Sequence, residues 1–298
     1  MKNYARTDLA CEQIAGHLKK TTGCAESVRC VGSFQIRTMT IKTEEVANSI
    51  GRACGSYLTV ECGRFLELSD DARAMLVRIL AGELRGMTER ITQKKIDEKM
   101  SVFVAGLGNA SLTADAIGPQ TVTHLTVTRH LRAYDERLYC SLGCSALSAL
   151  APGVLGQTGI ETLEILKGVI KAVNPDVAII IDSLAARSCD RLASTVQITD
   201  TGITPGSGVG NHRLEISKKT LGVPVIAIGI PTVVDSSTLV YDALQRAGID
   251  QIDDRLESVL ETGKSFFVSP KDSDMITECT AKLLSRAINT AFAEILVT

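Results

Sequence analysis

Apolar runs separated by helical patterns dominate the second half of the chain. Residues 177–181 (VAIII) are unbroken and 101–107 (SVFVAGL) nearly so, which suits strands buried on both faces of a sheet. Residues 196–199 and 223–230 (VPVIAIGI) supply two more strands. Between them, Ile160, Leu163, Leu166, Ile170 and Val173 share one helical face, and Asn174-Pro175-Asp176 stops that helix. Further helices are expected from 114 to about 131, over 235–247 and over 274–296.

The first hundred residues read differently. Residues 28–41 and 57–61 carry the β-branched and alternating positions of strands. Ser69-Asp70-Asp71 then opens a helix with Met75, Leu76, Ile79, Leu80 and Leu84 at helical spacing. The charged stretch 94–99 (KKIDEK) reads as a solvated connection. The expectation is a single α/β domain over 1–298 built on a mostly parallel or mixed twisted sheet with helices on both faces. Residues 100–298 would form its core, and strands and a helix from about 1–99 would pack on it.

Composition narrows the function. Of 298 residues, 45% are apolar and 22% charged, ordinary for a folded protein with a substantial core. The formal charge of −2 gives no reason to expect nucleic acid as a partner, and the absence of Trp speaks against a stacking surface. Nine cysteines are scattered singly, with no CxxC, so reduced thiols are expected rather than a disulfide framework. No apolar run approaches the roughly 20 residues of a membrane span, and the start lacks the apolar stretch of a signal peptide. The expected location is cytoplasmic.

In an open α/β sheet, sites form at the carboxyl ends of strands. There the sequence offers Asp115 after Gly106-Leu107-Gly108-Asn109, Asp182 straight after 177–181, and Asp200 after 196–199. An acid leaving a buried strand is partly desolvated, and its pKa is open to tuning. Asp182 could equally cap the following turn, and Asp115 could be a helix N-cap. Two neighbouring carboxylates, however, would supply the base and acid that hydrolysis by activated water requires. The glycines of Gly206-Ser207-Gly208-Val209-Gly210 either let backbone approach a substrate or merely permit a turn.

Other motifs fail. The segment from Gly106 lacks the third glycine of a dinucleotide fingerprint, and no Walker A lysine follows either glycine-rich stretch. Asp200-Thr201-Gly202 matches the pepsin-like triplet, but that fold is all-β and needs two triplets. Cys189 and His212 could form a nucleophile pair, though nine cysteines make such pairings easy to find. His124 and His130 stand six apart on one expected helix, not at the spacing of a zinc site, and His17 stands alone. Ser183 lacks the Gly-x-Ser-x-Gly elbow. No metal ligands and no cofactor are assigned.

Several ordered stretches resemble the germination protease family of spore-forming bacteria. They include Arg6-Thr7-Asp8-Leu9-Ala10, Gly106 to Asn109, Asp115-Ala116-Ile117-Gly118-Pro119 and Leu150-Ala151-Pro152-Gly153-Val154. Further on come Gly156-Gln157-Thr158-Gly159, Ile181-Asp182-Ser183-Leu184-Ala185-Ala186-Arg187 and Ile198 through Ile203. The resemblance ends with Pro205-Gly206-Ser207-Gly208-Val209-Gly210-Asn211 and Val268-Ser269-Pro270-Lys271. It implies an endopeptidase that begins degradation of small acid-soluble spore proteins, located in the spore core, made as a zymogen and assembled as a homotetramer. It also implies a fold similar to hydrogenase-maturation peptidases, whose acids match Asp115 and Asp182 and can hold a metal with a histidine. Asp115 and Asp182 are thus the expected catalytic pair, with Asn109, Arg187, Asp200, Gly206 and Gly208 as supporting or substrate-binding residues. A metal-dependent maturation-type peptidase acting on another protein is the alternative. Two departures stand out: five residues precede Arg6, where the family carries a longer propeptide, and 260–266 is shorter than in better-known members.

Overall fold

The computed structural model describes residues 7–14, 23–206, 213–249, 252–262 and 266–292. Strands β1 (Cys24–Val31), β2 (Phe34–Ile41) and β3 (Gly55–Glu61) form an antiparallel meander. The strand-like stretch 28–41 is a hairpin, turning at Gly32-Ser33, where Gly32 has a φ of 59°. Short helices α1 (Ala10–Ile14) and α2 (Glu44–Ile50) flank it. Helix α3 (Asp70–Thr92) starts as read: Ser69 Oγ accepts the Ala72 N–H at 3.2 Å.

Strand β4 (Ser101–Gly106) is followed not by one helix to 131 but by a short 3₁₀ turn, Thr113–Asp115, then α4 (Ile117–Thr123), α5 (Arg129–Tyr134) and α6 (Glu136–Leu142). The pattern breaks where Thr128 turns inward; its N–H donates to the Leu147 carbonyl at 2.9 Å and its hydroxyl to that of Ser145 at 2.6 Å. His124 and His130 consequently sit on separate elements. Strand β5 (Ala146–Leu150), α7 (Leu155–Thr158) and α8 (Thr162–Val173) follow, the last ending on Asn174 with φ 49°. Strand β6 runs from Val177 to Ala186, β7 from Thr195 to Thr199, and β8 from Val225 to Asp235 after α9 (Lys218–Leu221). Asp235 caps α10 (Ser236–Arg246), accepting the N–H groups of Ser237 and Thr238. Then come α11 (Asp254–Thr262), β9 (Phe267–Val268) and α12 (Ser273–Phe292).

The described strands make one nine-stranded mixed sheet in the order β1-β2-β3-β7-β8-β6-β4-β5, with β9 pairing β8. Pairings β8-β6, β6-β4 and β4-β5 are parallel; the others are antiparallel. The N-terminal strands extend the sheet through β3 and β7 rather than packing on top of it.

Alternation along the strands separates two faces. Val102, Val104, Ile179 and Ile181 meet α3 and α12 on one face, with Leu80, Leu84, Leu284 and Ile288. Phe103, Ala105, Ala178 and Ile180 meet Leu163, Leu166 and Ile170 of α8 on the other. Burying each of these α8 side chains contributes about 1.5–3 kcal/mol. Further along that second face, Leu184 and Ala186 join Leu9, Met39 and Tyr57 in a separate cluster. Asp182 shares this face, in the gap between the two clusters.

Candidate active site

Strand β6 is longer than its apolar run suggests. Asp182 lies inside it, in register with Gly229 of β8, not at its end. No turn follows for it to cap, and its Oδ1 accepts the adjacent Ser183 N–H at 3.0 Å. It nevertheless occupies a strand end, because neighbouring β4 stops at Gly106 opposite Ile181. Asp182 is therefore the first β6 residue beyond β4, and it is only 5% exposed. Burial pushes its carboxyl well above the usual carboxylate range, with Asp115 and then Asp8 adding like-charge repulsion.

Asp115 reaches the same place from the end of β4. Gly106 and Gly118 let β4 and α4 touch backbone to backbone: a Cβ on Gly106 would lie 2.1 Å from the Gly118 carbonyl oxygen. The loop then folds back through Gly108, whose φ of 114° and whose 2.0 Å gap from an added Cβ to the Asp115 carbonyl oxygen admit no side chain. This closure lets Asp115 Oδ2 accept the Asn109 N–H at 2.7 Å. Asp115 is half-buried; burial raises its pKa and the Asn109 bond opposes the rise. Asn109 is fixed in turn, its Oδ1 accepting the Ser111 N–H at 3.0 Å and Gln157 Nε2 at 2.8 Å.

Among the supporting residues, Asn109 thus stands in the site. Arg187 follows the end of β6, its N–H donating to Glu12 Oε2 at 2.9 Å, and lines a separate cleft of about 550 Å³ with Glu12, Glu61, Arg64 and Arg191. Asp200 stands apart from the pair. β7 runs antiparallel to β8, so its carboxyl end leaves the opposite edge, with Thr199 paired to Ala227 while Asp182 pairs to Gly229. There Asp200 accepts the Ser56 N–H at 2.7 Å and the Arg90 guanidinium at 2.9 Å. Gly206 has a φ of 73°; Gly208, the glycine run after it, His212, His17 and residues 263–265 lie outside the described residues. Burial pushes the Cys189 thiol up, against the thiolate a nucleophile needs. Among the described residues no three His, Cys, Asp or Glu side chains converge as metal ligands, and no helix is long and apolar enough to cross a membrane.

Three neighbours of the site were not among its expected residues: Asp8, Gln157 and Arg52. Asp8 is buried, its N–H donating to the Ala185 carbonyl at 2.8 Å and its Oδ2 accepting the Ala185 N–H at 2.9 Å. The Asp8 carbonyl accepts Arg52 Nη2 at 2.7 Å. A cavity of about 410 Å³ opens beside them, lined by Asp8, Arg52, Tyr57, Gln197, Thr201 and Gly229. Gly229 lies between Gln197 and Asp182 across three adjacent strands, and the Leu184 side chain packs over it: a Cβ there would lie 2.2 Å from Leu184 Cδ1. Asp8 lies in a stretch that carries the family resemblance, but its place beside β6 is set across more than 170 residues of chain separation.

The family model for germination proteases matches residues 7–247. Germination proteases of Clostridium acetobutylicum and Caldanaerobacter subterraneus are 36% and 39% identical to this chain, over 97% and 96% of it and 95% and 93% of their own lengths. That of Bacillus subtilis is 43% identical over 88% of this chain and 73% of its own. The matched span includes Asp115, Asp182, Asn109 and Asp8. The chain therefore belongs to the germination protease family, peptidases with a role in spore germination.

Proposed function

We propose that this chain is an endopeptidase that begins the breakdown of small acid-soluble spore proteins in the spore core, using water activated between Asp115 and Asp182. The carrying observation is the unlike environment of two acids at one strand end. Asp182 is deeply buried and pushed toward its neutral form, while half-buried Asp115 has a main-chain donor that favours its charged form. Environments that drive two carboxyl groups apart assign the acid and the base.

Asp115, ionised, takes a proton from water as the water oxygen attacks the scissile carbonyl carbon. Asp182, protonated, gives its proton to the carbonyl oxygen as negative charge develops there. On collapse the C–N bond breaks, the amine leaves with the proton held by Asp115, and Asp182 recovers a proton from the gem-diol. General acid–base catalysis of this kind contributes about 10²–10⁴-fold. The cavity lined by Asp8, Leu184 and Gly229 is room available to a substrate side chain.

The test is digestion of a purified small acid-soluble spore protein in ¹⁸O-water, with hydroxylamine and chelator controls, read by mass spectrometry. Discrete internal cleavage, one solvent oxygen in the new carboxyl group and no hydroxamate are expected. A hydroxamate would mean a covalent acyl-enzyme. Loss of cleavage with chelator would recast the two aspartates as metal ligands, as in the maturation-type alternative.

A further inference from the structure

Strands β4 and β6 part company beside the acid pair. The last bond between them runs from the Leu107 N–H to the Ile181 carbonyl at 2.8 Å; β4 ends, while β6 continues to Ala186 with β8 still on its other side. Main-chain groups along a strand point alternately to its two neighbours. Ile181, Ser183, Ala185 and Arg187 therefore turn theirs toward the side that β4 has vacated. This edge starts one residue after Asp182.

Part of the edge is occupied by the chain itself. Asp8 exchanges bonds with Ala185 through its own N–H and its carboxylate, and Glu12 accepts the N–H groups of Arg187 and Ser188 at 2.9 and 3.1 Å. Arg191 holds Glu12 from behind at 3.4 Å. Among the described residues the portion nearest the acids is not taken up in this way: the Ser183 N–H meets the adjoining Asp182 Oδ1. One main-chain N–H, that of Asp8, and the carboxylates of Asp8 and Glu12 are thus already seated on the distal half of the edge, and the proximal half faces the catalytic carboxylates.

We propose that the substrate binds as an added strand on this edge of β6, main chain to main chain with Ser183 and Ala185, and that residues 7–12 hold the distal half in its absence. The inference rests on the peptidase reading of Asp115 and Asp182. Strand addition draws affinity from main-chain bonds and leaves side-chain choice to flanking cavities, such as the one beside Gly229. It requires a substrate that is extended where it is cut, and it fixes the scissile carbonyl by register with β6.

The test uses a spore-protein peptide carrying a single N-methyl group at each main-chain amide in turn. Expected is at least a tenfold loss of kcat/KM at alternate residues, with changes under twofold between them. Tolerance everywhere except the scissile amide, or losses without a two-residue period, would overturn the proposal. A second arm measures amide hydrogen exchange in the full chain with the peptide methylated at its scissile amide. Slowing of the Ser183 amide by tenfold or more is expected, and unchanged exchange there would overturn the proposal even if no peptide is cleaved. Protection without cleavage would instead sink the peptidase reading and leave edge binding standing.

Discussion

Asp115 Oδ2 accepts the main-chain N–H of Asn109 at 2.7 Å, whereas among the described residues Asp182 accepts the N–H of the residue that follows it, at 3.0 Å. In the proposed mechanism that difference, with the deeper burial of Asp182, makes Asp115 the base and Asp182 the acid. Its consequences are measurable.

Asp182 weakens the fold at neutral pH. Its folded pKa lies above the unfolded value, so the native state holds the proton more tightly, and stability falls as pH rises from about 4 through the folded pKa. Asp182→Asn removes this penalty, and its amide can donate toward neighbouring carboxylates. The variant should gain about 0.5–2 kcal/mol at pH 7, show a flatter Tm against pH, and lose activity about 10²–10⁴-fold. A variant less stable than wild type at pH 7 would contradict this assignment.

Asp115→Asn should lower the pKa of Asp182, because the Asp115 charge is one cause of its rise. An NMR titration of the Asp182 carboxyl in the variant should show the downward move, alongside a loss of activity of about 10²-fold or more. An unmoved titration would place the two groups too far apart to act together.

Gly108→Ala places a Cβ 2.0 Å from the Asp115 carbonyl oxygen at a φ of 114°. The strain costs about 1–3 kcal/mol, and the loop must shift. A 1 Å displacement of a reacting group is worth roughly 10² in rate. Thermal melts and kcat/KM should both fall, with the rate hit far more than the stability.

Gln157→Ala removes one of two donors to Asn109 Oδ1. Because Gln157 is exposed and acts on Asp115 only through Asn109, kcat should fall about 3–10-fold, the effect of about 0.7–1.4 kcal/mol, with Tm nearly unchanged. A Tm loss matching the rate loss would make its role structural.

The sheet's parallel half was legible because strands buried on both faces write their position as apolar runs, as in 177–181 and 101–107. Their ends were less so. β6 extends through Asp182 and Ser183 because pairing with β8 outlasts pairing with β4, and no single-strand pattern carries that information. Asp115 and Asp182 were chosen by position along the chain; what brings Asp115 within electrostatic reach of Asp182 is the early end of β4. Asp200 leaves the opposite end of the sheet from Asp182, because β7 runs antiparallel to β8 and nothing in 195–199 distinguishes an antiparallel strand from a parallel one. The inward turn at Thr128 likewise depends on Ser145 and Leu147, seventeen and nineteen residues away.

The central claim is best tested by comparing wild type, Asp115→Asn and Asp182→Asn, each shown to be folded, on one small acid-soluble spore protein across pH with and without chelator. The expected result is discrete cleavage by wild type alone, unaffected by chelator, with a rate that declines on the alkaline side as Asp182 loses its proton. Full activity in either variant would contradict the paired-acid account.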